Sequence, residues 1–208
     1  MPPRVPWAEV LDPLGAGEGE IRPPADLPYQ DLLPETLRDA AVLVPVRPAA
    51  GGLELILTRR TEKLRHHAGQ ISFPGGRVDA SDAGRLDAAL RETHEEIGLR
   101  PEQVEPLGCL APVMTITGYA MVPFVGLVEP DSAIAASPHE VEEVFTAPLE
   151  FMLDEANHER RRRFFNGRMR EFFVIQYGDY FVWGATAQVI VDLAARVRRG
   201  GIAIAVTG

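Results

Sequence analysis

Nine consecutive residues, Arg91-Glu92-Thr93-His94-Glu95-Glu96-Ile97-Gly98-Leu99, constrain this chain more than any other segment. At about 100° per residue, Leu86, Leu90, Thr93 and Ile97 line up as one stripe able to face a core. Glu92, Glu95 and Glu96 share an arc of about 100° on the opposite side. The spacing predicts a helix over 85–97, closed by Gly98 and by Pro101 just beyond. Three carboxylates in so small an arc repel one another and weaken an isolated helix. Mg²⁺ or Mn²⁺, which prefer oxygen ligands, would relieve that repulsion. Taken alone, the same arc reads equally as a solvated acidic face.

Upstream context bears on that choice. Phe73-Pro74-Gly75-Gly76 sets two glycines before a polar loop that feeds the acidic helix. Backbone without side chains can approach a metal or a phosphate closely and offer a carbonyl or an N–H. Around this unit the chain alternates strand-like and helix-like runs. Residues 41–46 and 53–58 read as strands about the Gly51-Gly52 turn, and further strands are predicted near 104–112, 120–128 and 171–177. A short helix is expected over 148–153 and a polar loop over 157–167. A last helix carries Thr186, Ile190, Leu193, Ala194 and Val197 on one face and stops at Gly200-Gly201. Such alternation without repeats implies one α/β domain. The expected division is an N-terminal arm over 1–36, a domain over 37–200 and a tail over 201–208. Eight of the 18 prolines fall in the arm, which reads as extended or partly ordered and pinned by Trp7 or Tyr29.

Composition excludes several classes. Thirty acidic against 21 basic residues give a formal net charge of −9, against the basic surface from which a general nucleic-acid binder draws its affinity. The apolar run 40–46 is far shorter than the roughly 20 residues a bilayer span needs, and the first residues lack the apolar segment of a secretory signal. The single cysteine, Cys109, excludes an internal disulfide and fits a reducing compartment and a place in the core. The expectation is a cytoplasmic protein, monomeric or homodimeric, that acts on a small molecule and binds neither nucleic acid nor membrane.

The acidic segment resembles the signature of the Nudix hydrolases, Gly-x5-Glu-x7-Arg-Glu-U-x-Glu-Glu-x-Gly-U, with U an aliphatic or similar residue. Arg91, Glu92, Thr93, Glu95, Glu96, Gly98 and Leu99 match its second half. The first half departs: counting from Gly76, Asp82 stands where the signature has glutamate, and eight residues rather than seven separate it from Arg91. A second resemblance is narrower. Residues 56–76 are similar to the extra motif of the coenzyme A pyrophosphatase branch, Leu-Leu-Thr-x-Arg-Ser/Ala-x3-Arg-x3-Gly-x3-Phe-Pro-Gly-Gly. Ile56 stands for the first leucine and Thr61 for Ser/Ala, while Arg60, Arg65, Gly69 and Phe73 fall in place. That branch commonly carries the shifted acidic loop as well.

The resemblance implies a Nudix α/β/α sandwich with a mixed β-sheet between helices. It also implies metal-dependent hydrolysis of the diphosphate of coenzyme A or its derivatives, giving adenosine 3′,5′-bisphosphate and (acyl) 4′-phosphopantetheine. Glu92, Glu95 and Glu96, with the Gly76 carbonyl, would hold Mg²⁺ or Mn²⁺, and Arg91 would orient a glutamate. The general base is left between Glu95 and the Glu140, Glu142 or Glu143 carboxylates. Arg60, Arg65, Gly69 and Phe73 are the substrate-binding candidates, with the two arginines set toward phosphates or toward carboxylates. Arg160 to Arg163 read either as a solvated run or as partners of the 3′-phosphate. His66 and His67 lack the spacing of a zinc site. Two other readings stand beside this one: a Nudix hydrolase of another diphosphate such as ADP-ribose or a nucleoside triphosphate, and a catalytically silent nucleotide-binding domain.

Overall fold

A computed structural model describes residues 5–21, 23, 29–62 and 69–200. Arg65, His66 and His67 lie outside the described residues, as does the expected tail. In chain order the elements are α1 (Trp7–Val10), α2 (Leu14–Gly17), β1 (Arg38–Ala49), β2 (Gly52–Arg60), β3 (Ile71–Ser72), β4 (Gly75–Arg77) and α3 (Arg85–Ile97). There follow β5 (Val104–Cys109), β6 (Val113–Thr115), β7 (Tyr119–Val128), β8 (Val141–Pro148), α4 (Leu149–Leu153), β9 (Glu159–Phe165), β10 (Arg168–Tyr177), β11 (Tyr180–Trp183) and α5 (Gly184–Arg199).

The main sheet runs β3-β2-β1-β7-β5, with β8 on β2, β4 on β1 and β6 on β7. It is mixed, because β1 and β7 pair in parallel from Arg38↔Tyr119 to Val46↔Leu127 while β1–β2, β1–β4, β2–β8 and β5–β7 are antiparallel. Both faces are covered, and that is why the first strand reads as an unbroken apolar run rather than an alternation. Val42, Val44 and Val46 point into a core shared with Leu55, Leu57, Ile190 and Leu193. Leu43 packs with Ile56, Ile97 and Leu99, and Ala41 with Ala89, Val122 and Phe124. The sheet is therefore sandwiched between α3 on one side and α4 and α5 on the other, as expected of an α/β/α arrangement.

Helix α3 has the predicted bounds. Gly98 closes it in the left-handed conformation at φ 71°, its N–H donating to the His94 carbonyl at 2.9 Å. The polar loop expected over 157–167 is different: 159–165 is strand β9, paired antiparallel with β10 from Glu159↔Val174 to Phe165↔Arg168. Asn166 (φ 47°) and Gly167 (φ 79°) form the turn between them, the positive φ pair that a two-residue hairpin requires. β9 lies at the edge of a separate sheet ordered β11-β10-β9, and a row of arginines on an edge strand discourages further pairing. The described part of the arm is folded against the domain. Val5, Val10 and Leu11 are buried in the core, Asp12 and Cys109 exchange backbone hydrogen bonds at 3.0 and 2.9 Å, and the Tyr29 hydroxyl donates to the Met114 carbonyl at 2.9 Å. Among the described residues no helix is long and apolar enough to cross a membrane.

Candidate functional site

Helix α3 presents its acidic arc toward β4 and the end of β2. Arg91 is the hub of that arc. Its Nε and Nη2 donate to the two Asp82 carboxylate oxygens at 2.7 and 3.0 Å, a bidentate pair, and Nη2 also reaches the Arg77 carbonyl at 3.1 Å. Nη1 donates to Glu92 Oε1 at 3.1 Å and lies 3.4 Å from Glu95. Asp82 is only 2% exposed and accepts the Asp79 N–H at 2.7 Å. The guanidinium beside it holds its carboxyl below the usual range. Asp82 thus anchors Arg91 from within a closed loop, and one additional loop residue with a shorter acid reaches the guanidinium.

The glutamates differ sharply in environment. Glu95 is 57% exposed and Glu92 19%, whereas the Glu96 side chain is 3% exposed. The helical wheel alone implied an exposed Glu96. Burial follows because β2 and β4 close over the end of α3 there. Arg60 Nη1 donates to Glu96 Oε1 at 3.3 Å, and the Gly75 N–H to Glu96 Oε2 at 3.1 Å. Burial pushes the Glu96 carboxyl up to about 7; the Gly75 N–H and Arg60 oppose this, and Glu140 and Glu92 add to it. Glu92 is raised too, first by burial, with Arg91 opposing and Glu95 and Glu140 adding.

The two glycines are required by this closeness. A Cβ on Gly75 (φ 143°) would collide with the backbone of Ala41 and Val42 in β1. A Cβ on Gly76 would lie 2.5–2.7 Å from the Glu92 carboxylate atoms. At this same end, α3 has its last carbonyls capped by the loop before β8: Ala135 N–H donates to Ile97 O at 2.9 Å and Ser137 N–H to Glu96 O at 2.8 Å. The same loop carries Glu140, whose carbonyl accepts the Thr61 N–H at 3.0 Å, and it brings a further negative charge to Glu92 and Glu96. Glu143 does not join this centre. It pairs with Arg59 at 3.1 Å and accepts the Tyr180 hydroxyl at 2.7 Å, tying β8 and β2 to β11.

Of the residues singled out in the sequence, Glu92, Glu95, Glu96, Arg91, Gly76, Arg60 and Glu140 converge on this one region. Gly69 (φ 68°) belongs to the turn that leaves β2, donating its N–H to the Arg60 carbonyl at 3.1 Å. Phe73 is a correction: at 3% exposure it packs in the core beneath the Pro74-Gly75-Gly76 turn and leaves no ring face for a ligand. Arg160–Arg163 lie on the exposed edge strand β9. The sequence reading missed the roles of Gly75, Asp82 and Ser137. Asp82 carried a signal, as an acid nine residues before Arg91, and so did Gly75, as one of the paired glycines before the loop, whereas Ser137 carried none.

Among the described residues no three acidic, histidine or cysteine side chains already converge as a closed ligand set, Glu95 being turned out toward Arg91. The donors present nevertheless suit Mg²⁺ or Mn²⁺. All are oxygens, two carboxylates carry burial that their partners offset only in part together with mutual repulsion, and the bare Cα of Gly76 leaves backbone directly against Glu92.

The family model of the NUDIX domain matches residues 37–166. The uncharacterized Nudix hydrolase NudL of Citrobacter koseri is 45% identical over 166 residues, covering 78% of this chain and 85% of its own. NudL of Escherichia coli K12 is 44% identical over 167 residues, with the same coverage of 78% and 85%. A crystal structure of a Nudix hydrolase from Alicyclobacillus acidocaldarius aligns at a TM-score of 0.50 and 19% identity, over 79% of this chain and 93% of that one, a likeness of fold.

Proposed function

The chain belongs to the Nudix family, and from that premise we propose that it hydrolyses the diphosphate of coenzyme A or its acyl derivatives, with Mg²⁺ or Mn²⁺. Hydrolysis of a diphosphate is the family's reaction. One observation supports it above others. Arg60, from the segment that resembles the coenzyme A branch, donates to Glu96 of the acidic helix, and the Gly69 turn of the same segment is hydrogen-bonded to Arg60's own backbone. The residues that distinguish the branch thus border the residues that distinguish the family.

Glu92, Glu96 and Glu95, with the Gly76 carbonyl, would hold the divalent ion. When bound, the ion neutralises charge on the diphosphate oxygens and orients the attacking water. The remaining work belongs to this chain. Arg91 fixes Glu92 and Glu95 from its anchor on Asp82. Arg60 adds a positive charge beside the phosphates, in a protein whose net charge of −9 offers little elsewhere. Glu140, exposed at the rim of the centre, accepts a proton from the attacking water. The water oxygen bonds to one phosphorus as the bridging P–O bond breaks, and the bridging oxygen leaves with the other phosphate. We assign the cytoplasm as its compartment, since its single cysteine, Cys109, is buried and unpaired.

The test is product analysis with coenzyme A, ADP-ribose and a nucleoside triphosphate in separate incubations with Mn²⁺. Adenosine 3′,5′-bisphosphate and phosphopantetheine from the first, faster than any cleavage of the others, is the expected result. Cleavage of ADP-ribose alone would discard the coenzyme A assignment. A silent domain has for sequence support only Asp82 and the additional loop residue before Arg91, and the bidentate Asp82–Arg91 pair speaks against that reading.

A further inference from the structure

At its N-terminus helix α3 lacks a cap of its own. Gly84 precedes it in extended conformation with no side chain to accept an N–H, and Asp87 turns back to the Ala83 N–H at 2.9 Å instead. The last two turns carry three glutamates, which repel one another and oppose the negative end of the helix dipole. The missing acceptor comes from the arm. Glu18 Oε2 accepts the Arg85 N–H at 2.8 Å and Oε1 the Leu86 N–H at 2.8 Å, so one carboxylate closes the first two amides of the helix.

The turn that presents Glu18 is built for this. Arg85 Nη1 donates to the carbonyls on either side of Glu18, Gly17 O at 2.9 Å and Gly19 O at 2.7 Å, while Nη2 reaches Asp39 of β1 at 3.0 Å. A Cβ on Gly17 would lie 2.7 Å from the Phe124 ring of β7, and one on Gly84 would lie 2.7 Å from the Glu18 carboxylate. The Asp39 carbonyl accepts the Val78 N–H at 3.1 Å, just past β4, whose Gly76 pairs with Ala41 of β1. The arm therefore grips the start of α3, and Arg85 in turn ties that start to β1, whose pairing with β4 sets Gly76 against Glu92.

We propose that Glu18 is a positioning residue for the acidic helix: from outside the catalytic domain's own sequence, it fixes the start of α3 and so the separation of Glu92 and Glu96 from the Gly75-Gly76 turn. This rests on the assignment of α3 as the metal-binding element. The test compares Glu18→Ala, Glu18→Gln and, as a control on an ion pair of the arm, Asp12→Asn, which removes the charge that meets Arg196 at 2.9 Å. The readings are kcat, KM for coenzyme A, the half-saturating Mn²⁺ concentration, and amide exchange over 85–92.

Glu18→Ala is expected to raise the half-saturating Mn²⁺ concentration and lower kcat, each by about tenfold, with KM unchanged and faster exchange at the start of α3. Glu18→Gln recovers part of the loss, since its carbonyl oxygen still accepts one N–H. Asp12→Asn lowers the melting temperature without moving the Mn²⁺ dependence. Parental kcat and Mn²⁺ dependence in Glu18→Ala, whatever its stability, would overturn the proposal, as would the same kinetic change in Asp12→Asn. If the parent itself neither bound Mn²⁺ nor cleaved any diphosphate, the functional reading would fail instead. Exchange at Arg85 and Leu86 would then decide the cap: faster in Glu18→Ala supports it, unchanged refutes it.

Discussion

Two runs of like charge, the glutamates of α3 and the arginines of β9, look alike in the sequence and differ in the fold. Every residue of β9 is exposed, and its arginines are answered by exposed acids, Arg161 by Glu159 at 2.7 Å and Arg162 by Glu171 at 2.6 Å. On α3 the charges sink from Glu95 through Glu92 to Glu96, and the partners that meet them are largely withdrawn from water. The contrast teaches that a charge run becomes chemistry where neighbouring elements strip its solvent. Water screens β9, whereas burial raises the proton affinity of Glu96 and Glu92 and leaves them wanting a cation.

The largest expected effect is on the buried run. Removing divalent metal with EDTA should lower turnover by about a thousandfold or more, read as loss of product, with Mn²⁺ or Mg²⁺ restoring it. Next, Arg91→Met leaves Asp82 buried without its partner and should cost about 2–4 kcal/mol in denaturant unfolding. Turnover should fall in whatever remains folded. An Arg91→Met protein of parental stability would mean that the bidentate pair is screened like those of β9.

A smaller effect concerns pH. The apparent Mn²⁺ affinity should rise as pH climbs toward about 7, because the ion must displace the proton that buried, metal-free Glu96 holds below that value. Arg60→Gln should move that rise upward by roughly one pH unit, because Arg60 favours the ionised form. A profile that did not move would detach Arg60 from the centre. The smallest effect belongs to β9: Arg162→Gln should change stability by no more than about 0.5 kcal/mol and leave kcat and KM untouched.

The sequence made α3 legible to the residue, because apolar period, glycine stop and following proline agree. The central strands were legible for a similar reason, since burial on both faces leaves a continuous apolar run in β1. β9 was not. Four arginines in succession carry no strand pattern, and only Asn166-Gly167 signalled the hairpin that pairs them with β10. Nor was the burial of Glu96 legible: a wheel orders residues around an axis but cannot say which strand arrives to cover them. Gly75 and Arg60 come from 21 and 36 residues upstream, and Glu18 reaches Arg85 across 67 residues. Contacts at such separations leave no local period to read.

Above pH 7 Glu96 holds an ionised carboxylate in a buried place, at the expense of stability. Its folded pKa of about 7 lies above the usual 4.5, so the folded state binds more protons in that interval. Stability of the metal-free protein should therefore fall as pH rises from about 4.5 to 7 and level off above, a loss of order 2–4 kcal/mol. Glu96→Gln removes the charge and keeps an acceptor and the shape. The deciding measurement is unfolding and turnover of the parent and Glu96→Gln side by side at pH 8, metal-free for the first and with Mn²⁺ for the second. Glu96→Gln should be more stable than the parent and inactive; a less stable variant, or one that still turns substrate over, would refute the role given to Glu96.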